Sequence, residues 1–254
     1  MTGTWINVGA VLAGSTIGLL LGARFSDHLK ETVMQGIGVV TLLIGLKMAF
    51  TTQNVLIVLG SILLGGLVGT WWRLDERLNR FGLWVEHRLT DVASGKSRDQ
   101  QEEGLEDRRK PGQSGTGRFA QGFITTSLLF CIGPMTFLGA IQDGLSGDYQ
   151  LLAIKSVLDG FSAIAFAASL GAGVMLSTLT VLVIQGSLTM MSSLFQTLLT
   201  DAVIAELTAT GGVLVLMIGL GLLHLVSIRV ANFLPALLFA PLLLWVADQL
   251  TKLM

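Results

Sequence analysis

The chain has 254 residues, of which 52% are hydrophobic and only 13% charged, with a mean hydropathy of +0.71 and a formal net charge of −1. Soluble domains carry roughly 25% charged residues, so a set of soluble domains is excluded, and so small a net charge sets up no global field for nucleic acid. Cys131 is the single cysteine; an internal disulfide and a Cys-based metal cluster are excluded, and the residue reads as a small buried apolar group.

A membrane span needs ~20 predominantly apolar residues. Eight stretches meet this, roughly 4–22, 33–50, 54–71, 118–139, 150–168, 173–195, 208–226 and 232–250. The fold class expected is therefore all-α: a polytopic membrane helix bundle in the lipid bilayer. Its parts are a three-helix membrane segment (1–71), an insert (72–117) and a five-helix membrane segment (118–254). The first stretch follows MTGTWINVG, which has no basic region; it does not read as a cleaved signal peptide and is expected to stay as a helix. Ala10, Gly14, Gly18 and Gly22 line one face of it at every fourth residue, and Ser61, Gly65 and Gly69 do the same in the third stretch. Small faces let helix backbones approach closely in lipid. Plain packing within the chain explains them, and a homodimer through either stripe is the alternative.

The insert divides in two. Trp71, Leu74, Leu78, Phe81, Val85 and Leu89 recur at helical spacing, with Arg73, Arg77, Arg80, His87 and Arg88 largely off that stripe. This fits an amphipathic helix in the membrane interface, anchored by Trp71, Trp72 and Trp84. It reads either as a cap extending the third span or as a surface for anionic lipid or a partner. From Ala93 to Gly117 apolar periodicity ends, and a flexible linker is expected.

Lys and Arg orient the bundle. The loops 23–32, 72–117 and 227–231 hold them, while 51–53, 140–149 and 196–207 hold none and carry Asp143, Asp148, Asp201 and Glu206 instead. The basic loops are placed in the cytoplasm and both termini outside, with Lys252 as an exception. The acids at the outer mouth lean toward a cationic or zwitterionic solute.

The fourth and fifth spans hold the sharpest signal. Gly133-Pro134 interrupts an apolar run, and proline removes a backbone donor and clashes with the preceding turn. Gln142 and Asp143 follow, then Lys155 and Asp159, which are four apart and so share a helix face. Asp159 lies ~12–14 Å along its helix at ~1.5 Å per residue, and a central Asp costs ~2.5–3.5 kcal/mol on insertion scales. Either Lys155 and Asp159 form a structural pair, or Asp159 faces a wet cavity. Gln185 is the deepest of the remaining polar residues and a candidate pathway lining. Asn7, Gln35, Lys47, Asn54 and Asn232 lie near span ends, and His224 reads as a proton-relay or an interhelical residue.

Gly38-Val-Val-Thr-Leu-Leu-Ile-Gly-Leu46 matches Gly212-Val-Leu-Val-Leu-Met-Ile-Gly-Leu220 at six of nine positions. Spans 1–3 and 6–8 then form a candidate inverted repeat, a device of secondary transporters. No P-loop, HExxH, GxSxG or Cys/His ligand spacing occurs. Neither an enzyme, a metal site, a cofactor nor self-contained ATP-driven transport is expected.

Three segments carry a resemblance: Gly133-Pro-Met-Thr-Phe-Leu-Gly-Ala-Ile-Gln-Asp-Gly-Leu145, Lys155-Ser-Val-Leu-Asp-Gly160 and Ile228-Arg-Val-Ala-Asn-Phe-Leu-Pro235. They resemble the YdfK-like or YqgA-like family of uncharacterised bacterial multi-pass inner-membrane proteins, over Asn7 to Pro241. The resemblance implies a bacterial cytoplasmic membrane and brings no function, since the family is a domain of unknown function. The function expected from the residues is a secondary transporter or channel for a small solute or ion. Its pathway would run by Gly133, Pro134, Gln142, Asp143, Lys155, Asp159 and Gln185. The alternative is a non-transporting scaffold, sensor or partner subunit acting through the basic helix.

Overall fold

Apolar runs without an internal breaker fold as long helices, because in lipid every backbone polar group must be satisfied within the chain. The computed structural model describes residues 1–23, 27–78, 80 and 115–253, and the regular structure among them is all helical. The helices are α1 (Thr2–Gly22), α2 (Asp27–Ala49), α3 (Val55–Trp71), α4 (Gly115–Cys131), α5 (Pro134–Ser146) and α6 (Gln150–Leu170). After them come α7 (Gly173–Met190), α8 (Ser192–Leu198), α9 (Asp201–Leu222), a 3-10 turn (Val230–Phe233) and α10 (Ala236–Leu253). Among the described residues six helices are long and apolar enough to cross a membrane, and the bent pair α4–α5 makes a seventh if taken as one span. The remaining expected span, α3, is a shorter apolar helix of 17 residues.

Turn chemistry separates the helices. Gly147 and Gly171, at the ends of α5 and α6, have φ of 73° and 83°, a left-handed backbone that glycine adopts without steric cost. Asn54 caps α3 by accepting from the Leu56 N–H at 3.1 Å, and Thr200 caps α9 by accepting from Val203 at 3.4 Å. The basic helix expected over 71–89 is helical at residues 74–78, and its remainder lies mostly outside the described residues, as does the 93–117 linker up to the start of α4 at Gly115.

Two expected loops are corrected. Residues 140–149 are helical up to Ser146, and α9 begins at Asp201, well inside the expected 196–207 loop. Polarity suggested loops there, but Asp143 and Glu206 are buried carboxylates at helix–helix junctions, 4% and 1% exposed.

The packing is built on small residues. A methyl placed on Gly14, Gly18 or Gly22 of α1 would meet the carbonyl oxygen of Gly160, Ile164 or Ala168 of α6. Residue numbers rise together along this contact, so α1 and α6 run parallel. On α3, Gly65 meets Ala236 and Gly69 meets the Asn232 carbonyl, so α3 and α10 run antiparallel. Both small-residue stripes are thus covered by helices of the same chain. The segments carrying the sequence match also touch: Gly45 of α2 and Gly212 of α9 approach each other, while Gly38 meets Leu223 and Gly219 meets Leu42, an antiparallel pairing. Large apolar side chains such as Leu43, Leu67, Phe161 and Leu238 face outward, as expected of a bundle solvated by lipid.

Candidate functional site

Helix α6 has two faces. Ile154, Val157, Leu158 and Phe161 are exposed, and Leu152, Lys155, Ser156, Asp159 and Ala163 are buried. The helical period puts Lys155 and Asp159 on the inner face, one turn apart, where Lys155 Nζ pairs with Asp159 Oδ2. The glycine stripe of α1 then brings in a third side chain. Asn7 lies seven residues before Gly14, so it shares the face that closes on α6. Its Nδ2 donates to Asp159 Oδ2 at 3.0 Å and to Gln185 Oε1 of α7 at 2.9 Å. One turn earlier on α1, the Thr4 hydroxyl meets the Thr189 hydroxyl of α7 at 3.2 Å. Asn7, Thr4 and Gln185 are 0% exposed, and Lys155 and Asp159 are 6% and 7% exposed.

The direction of each hydrogen bond follows from the one before. A carboxylate accepts only, so Asn7 must turn its NH₂ to Asp159, and the same NH₂ then requires the carbonyl of Gln185. Two atoms are left over. Asn7 Oδ1 and Gln185 Nε2 are buried with no hydrogen-bond partner. Such atoms are uncommon in proteins and costly at membrane depth.

The helix break lies alongside. Helices α4 and α5 meet at 59°, with Pro134 in the first turn of α5, where its missing N–H breaks no helical bond. The Gly133 carbonyl accepts from the N–H groups of Thr136 and Phe137 at 3.0 and 3.3 Å. The Thr136 hydroxyl reaches back to the Phe130 carbonyl at 3.2 Å, supplying a donor the interrupted helix lacks. Cys131, the last residue of α4, belongs to the same buried cluster as Val11 of α1 and Ala163 of α6.

The sequence-expected residues therefore separate. Lys155, Asp159 and Gln185 come together, and Gly133 and Pro134 form the nearby break. Asp143 serves a different contact: Oδ1 accepts from the terminal ammonium of Met1 and Oδ2 from the Gly3 N–H, both at 3.1 Å. A carboxylate there suits the N-terminal end of the α1 dipole. Gln142 is exposed and is not part of the buried group around Asp159. His224 is exposed too, in a left-handed turn with φ 56° that ends α9. Asn7 reads in the sequence as a polar residue near a span end, and Thr4 is not among the residues the sequence singles out. Their spacing from Gly14 and Gly18 on the α1 stripe was the available signal.

Glu206 corrects the reading of an acidic outer mouth. Its Oε1 accepts from the N–H groups of Gln53 and Asn54 at 2.8 and 3.0 Å, and Oε2 from the Thr52 hydroxyl at 2.8 Å. Two of the four acids are thus buried and taken up by donors of this chain, Asp143 by the Met1 ammonium and the Gly3 N–H and Glu206 by two N–H groups and a hydroxyl, and of the four only Asp148 and Asp201 are exposed. Glu206→Ala should lower stability by about 1–3 kcal/mol by stranding these donors, with Glu206→Gln less affected. Thermal unfolding in detergent reads the difference, and equal midpoints for both variants would contradict the assignment.

Comparison with known proteins adds the following. The family described as "Protein of unknown function (DUF554)" matches residues 2–245. "Uncharacterized protein YqgA" of Escherichia coli (strain K12) is 32% identical over 238 residues, covering 94% of each chain. "Uncharacterized membrane protein YdfK" of Bacillus subtilis (strain 168) is 28% identical over 252 residues, covering 97% of this chain and 96% of its own. No solved structure matches the chain.

Proposed function

Because the chain belongs to the DUF554 family of proteins of unknown function, we propose its activity from the site alone: it is a secondary transporter or channel for a small solute or ion, and not an enzyme. The observation that carries this reading is the group Asn7, Lys155, Asp159 and Gln185. It sets a charge pair and two unpartnered amide atoms inside a lipid-solvated bundle. Ionisable residues at such depth are expensive and mark solute or proton pathways. The adjacent α4–α5 break supports the same reading, since interrupted helices form binding sites in secondary transporters. The antiparallel contact of α2 with α9, and of α3 with α10, supports an inverted repeat of spans 1–3 and 6–8. The basic loops support a cytoplasmic-membrane location with both termini outside.

Lys155, Asp159 and Asn7 are closed on one another here, which the transport reading takes as a shut pathway. The same closure favours the second reading, a non-transporting scaffold or partner subunit in which the pair only locks α1 to α6 and α7. Flux decides between them. Reconstituted into proteoliposomes, the protein is expected to move at least one member of a broad panel of labelled small solutes and ions. Asp159→Asn, which keeps the shape and removes the charge, should cut that rate at least tenfold. Flux that Asp159→Asn leaves unchanged would remove Asp159 from the pathway, and no flux across the panel would favour the scaffold.

A further inference from the structure

We propose that Lys155, Asp159, Asn7 and Gln185 bind a small zwitterion, a molecule with one ammonium and one carboxylate. The inference deepens the transport reading by naming its substrate class, and it is tested by binding rather than flux.

The group offers both signs of recognition. Lys155 Nζ carries three protons, and its assigned partner is Asp159 Oδ2. Lys155 and Asn7 both arrive on Asp159 Oδ2, which leaves Oδ1 to accept. The two unpartnered atoms have opposite sense as well: Asn7 Oδ1 accepts and Gln185 Nε2 donates. An ammonium matches Asp159 Oδ1 and Asn7 Oδ1, and a carboxylate matches Lys155 Nζ and Gln185 Nε2.

Charge balance then selects the class. A lone cation that engages Asp159 must displace Lys155 and strand its charge in a medium that solvates it poorly. A lone anion at Lys155 strands Asp159 in the same way. A zwitterion exchanges one closed pair for two new ones with no change in net charge. A neutral polar molecule uses only the amide atoms and leaves the ion pair idle. Along α1 the group is bounded by the Thr4–Thr189 contact on one side and the close approach of Gly14 to Gly160 on the other. These lie about 15 Å apart along α1 at ~1.5 Å per residue, so a ligand of a few heavy atoms would enter by parting the closed Lys155–Asp159 pair rather than by unzipping the whole α1–α6 contact.

The test is equilibrium binding to the purified full chain in detergent, read by calorimetry. Glycine, alanine and γ-aminobutyrate are the zwitterionic probes, acetate the anion-only probe and ethylammonium the cation-only probe. At least one zwitterion is expected to bind saturably, and at least tenfold more tightly than either single-charge probe. Gln185→Leu should weaken that zwitterion at least tenfold while the protein stays monodisperse. Acetate or ethylammonium binding as tightly as the zwitterions would overturn the proposal, as would unchanged affinity in folded Gln185→Leu. No binding by any of the zwitterions would overturn it too, while solute flux sensitive to Asp159→Asn would still stand. If Gln185→Leu does not fold, the comparison of probes on the unaltered chain decides alone.

Discussion

Asp159→Ala is expected to destabilise the protein by about 3–5 kcal/mol, the range for breaking a buried ion pair by removing one partner. Lys155 would remain 6% exposed on the inner face of α6 with its assigned counter-ion gone, and Asn7 would lose one acceptor. Replacing both charges, as in Lys155→Met with Asp159→Leu, should restore most of that stability. Apolar residues of similar volume often stabilise as well as a buried pair. On the proposed transport reading the double variant is nonetheless expected to carry no flux, because the proposed pathway would have lost both of its charges. Chemical unfolding in detergent reads the first effect, and the proteoliposome assay reads the second. If the double variant is both stable and fully active, the pair is a lock between helices and the transport reading fails at this site. If Asp159→Ala alone is neutral for stability, the pair is not closed in the membrane as it is in this structure.

Gly18→Val is expected to cost about 1–3 kcal/mol of stability from overpacking and, unlike Glu206→Ala, to lower the proposed flux as well. A branched side chain there would be driven into the Ile164 carbonyl and the Ala167 methyl of α6. Helices in lipid gain little from hydrophobic exclusion and depend on such close contact. Pushing α1 outward would also move Asn7 away from Asp159 and Gln185, which is why activity should fall along with stability. Gly9→Val is the control, since a methyl at Gly9 meets nothing within 4 Å. Thermal unfolding of the two variants beside the unaltered chain checks this, and equal midpoints for both would show that the α1–α6 contact does not hold the bundle together.

The site was partly visible before the structure. Lys155 and Asp159 at a four-residue spacing dictate a shared face on any helix, and the depth of Asp159 required a partner. Gly133-Pro134 announced a break, since proline cannot continue an interior turn. Asn7 does not stand out in the sequence, because a lone polar residue near a span end is ordinarily solvated at the interface. The loop expected at Asp143 and at Glu206 differs from the observed helices for a related reason. An acid in apolar sequence suggests a loop, whereas here each accepts the unpaired N–H groups of another segment, at the start of α1 and in the turn before α3.

By itself, the sequence determined that this is a helical membrane protein, where its apolar runs lie, which faces carry small residues and which pair of charges shares a turn. All of these depend on local composition and helical period. Only the tertiary structure decided what each face meets. The Gly14–Gly22 stripe closes on α6 and Gly65 and Gly69 close on the start of α10 and the 3-10 turn before it, and the first of these contacts delivers Asn7 to Asp159 across 152 residues of chain. Small-residue faces are interchangeable as sequence, because any of them admits a close neighbour. The choice among them is made by the collective packing of the bundle, and the polar group at its centre exists only once that choice is made.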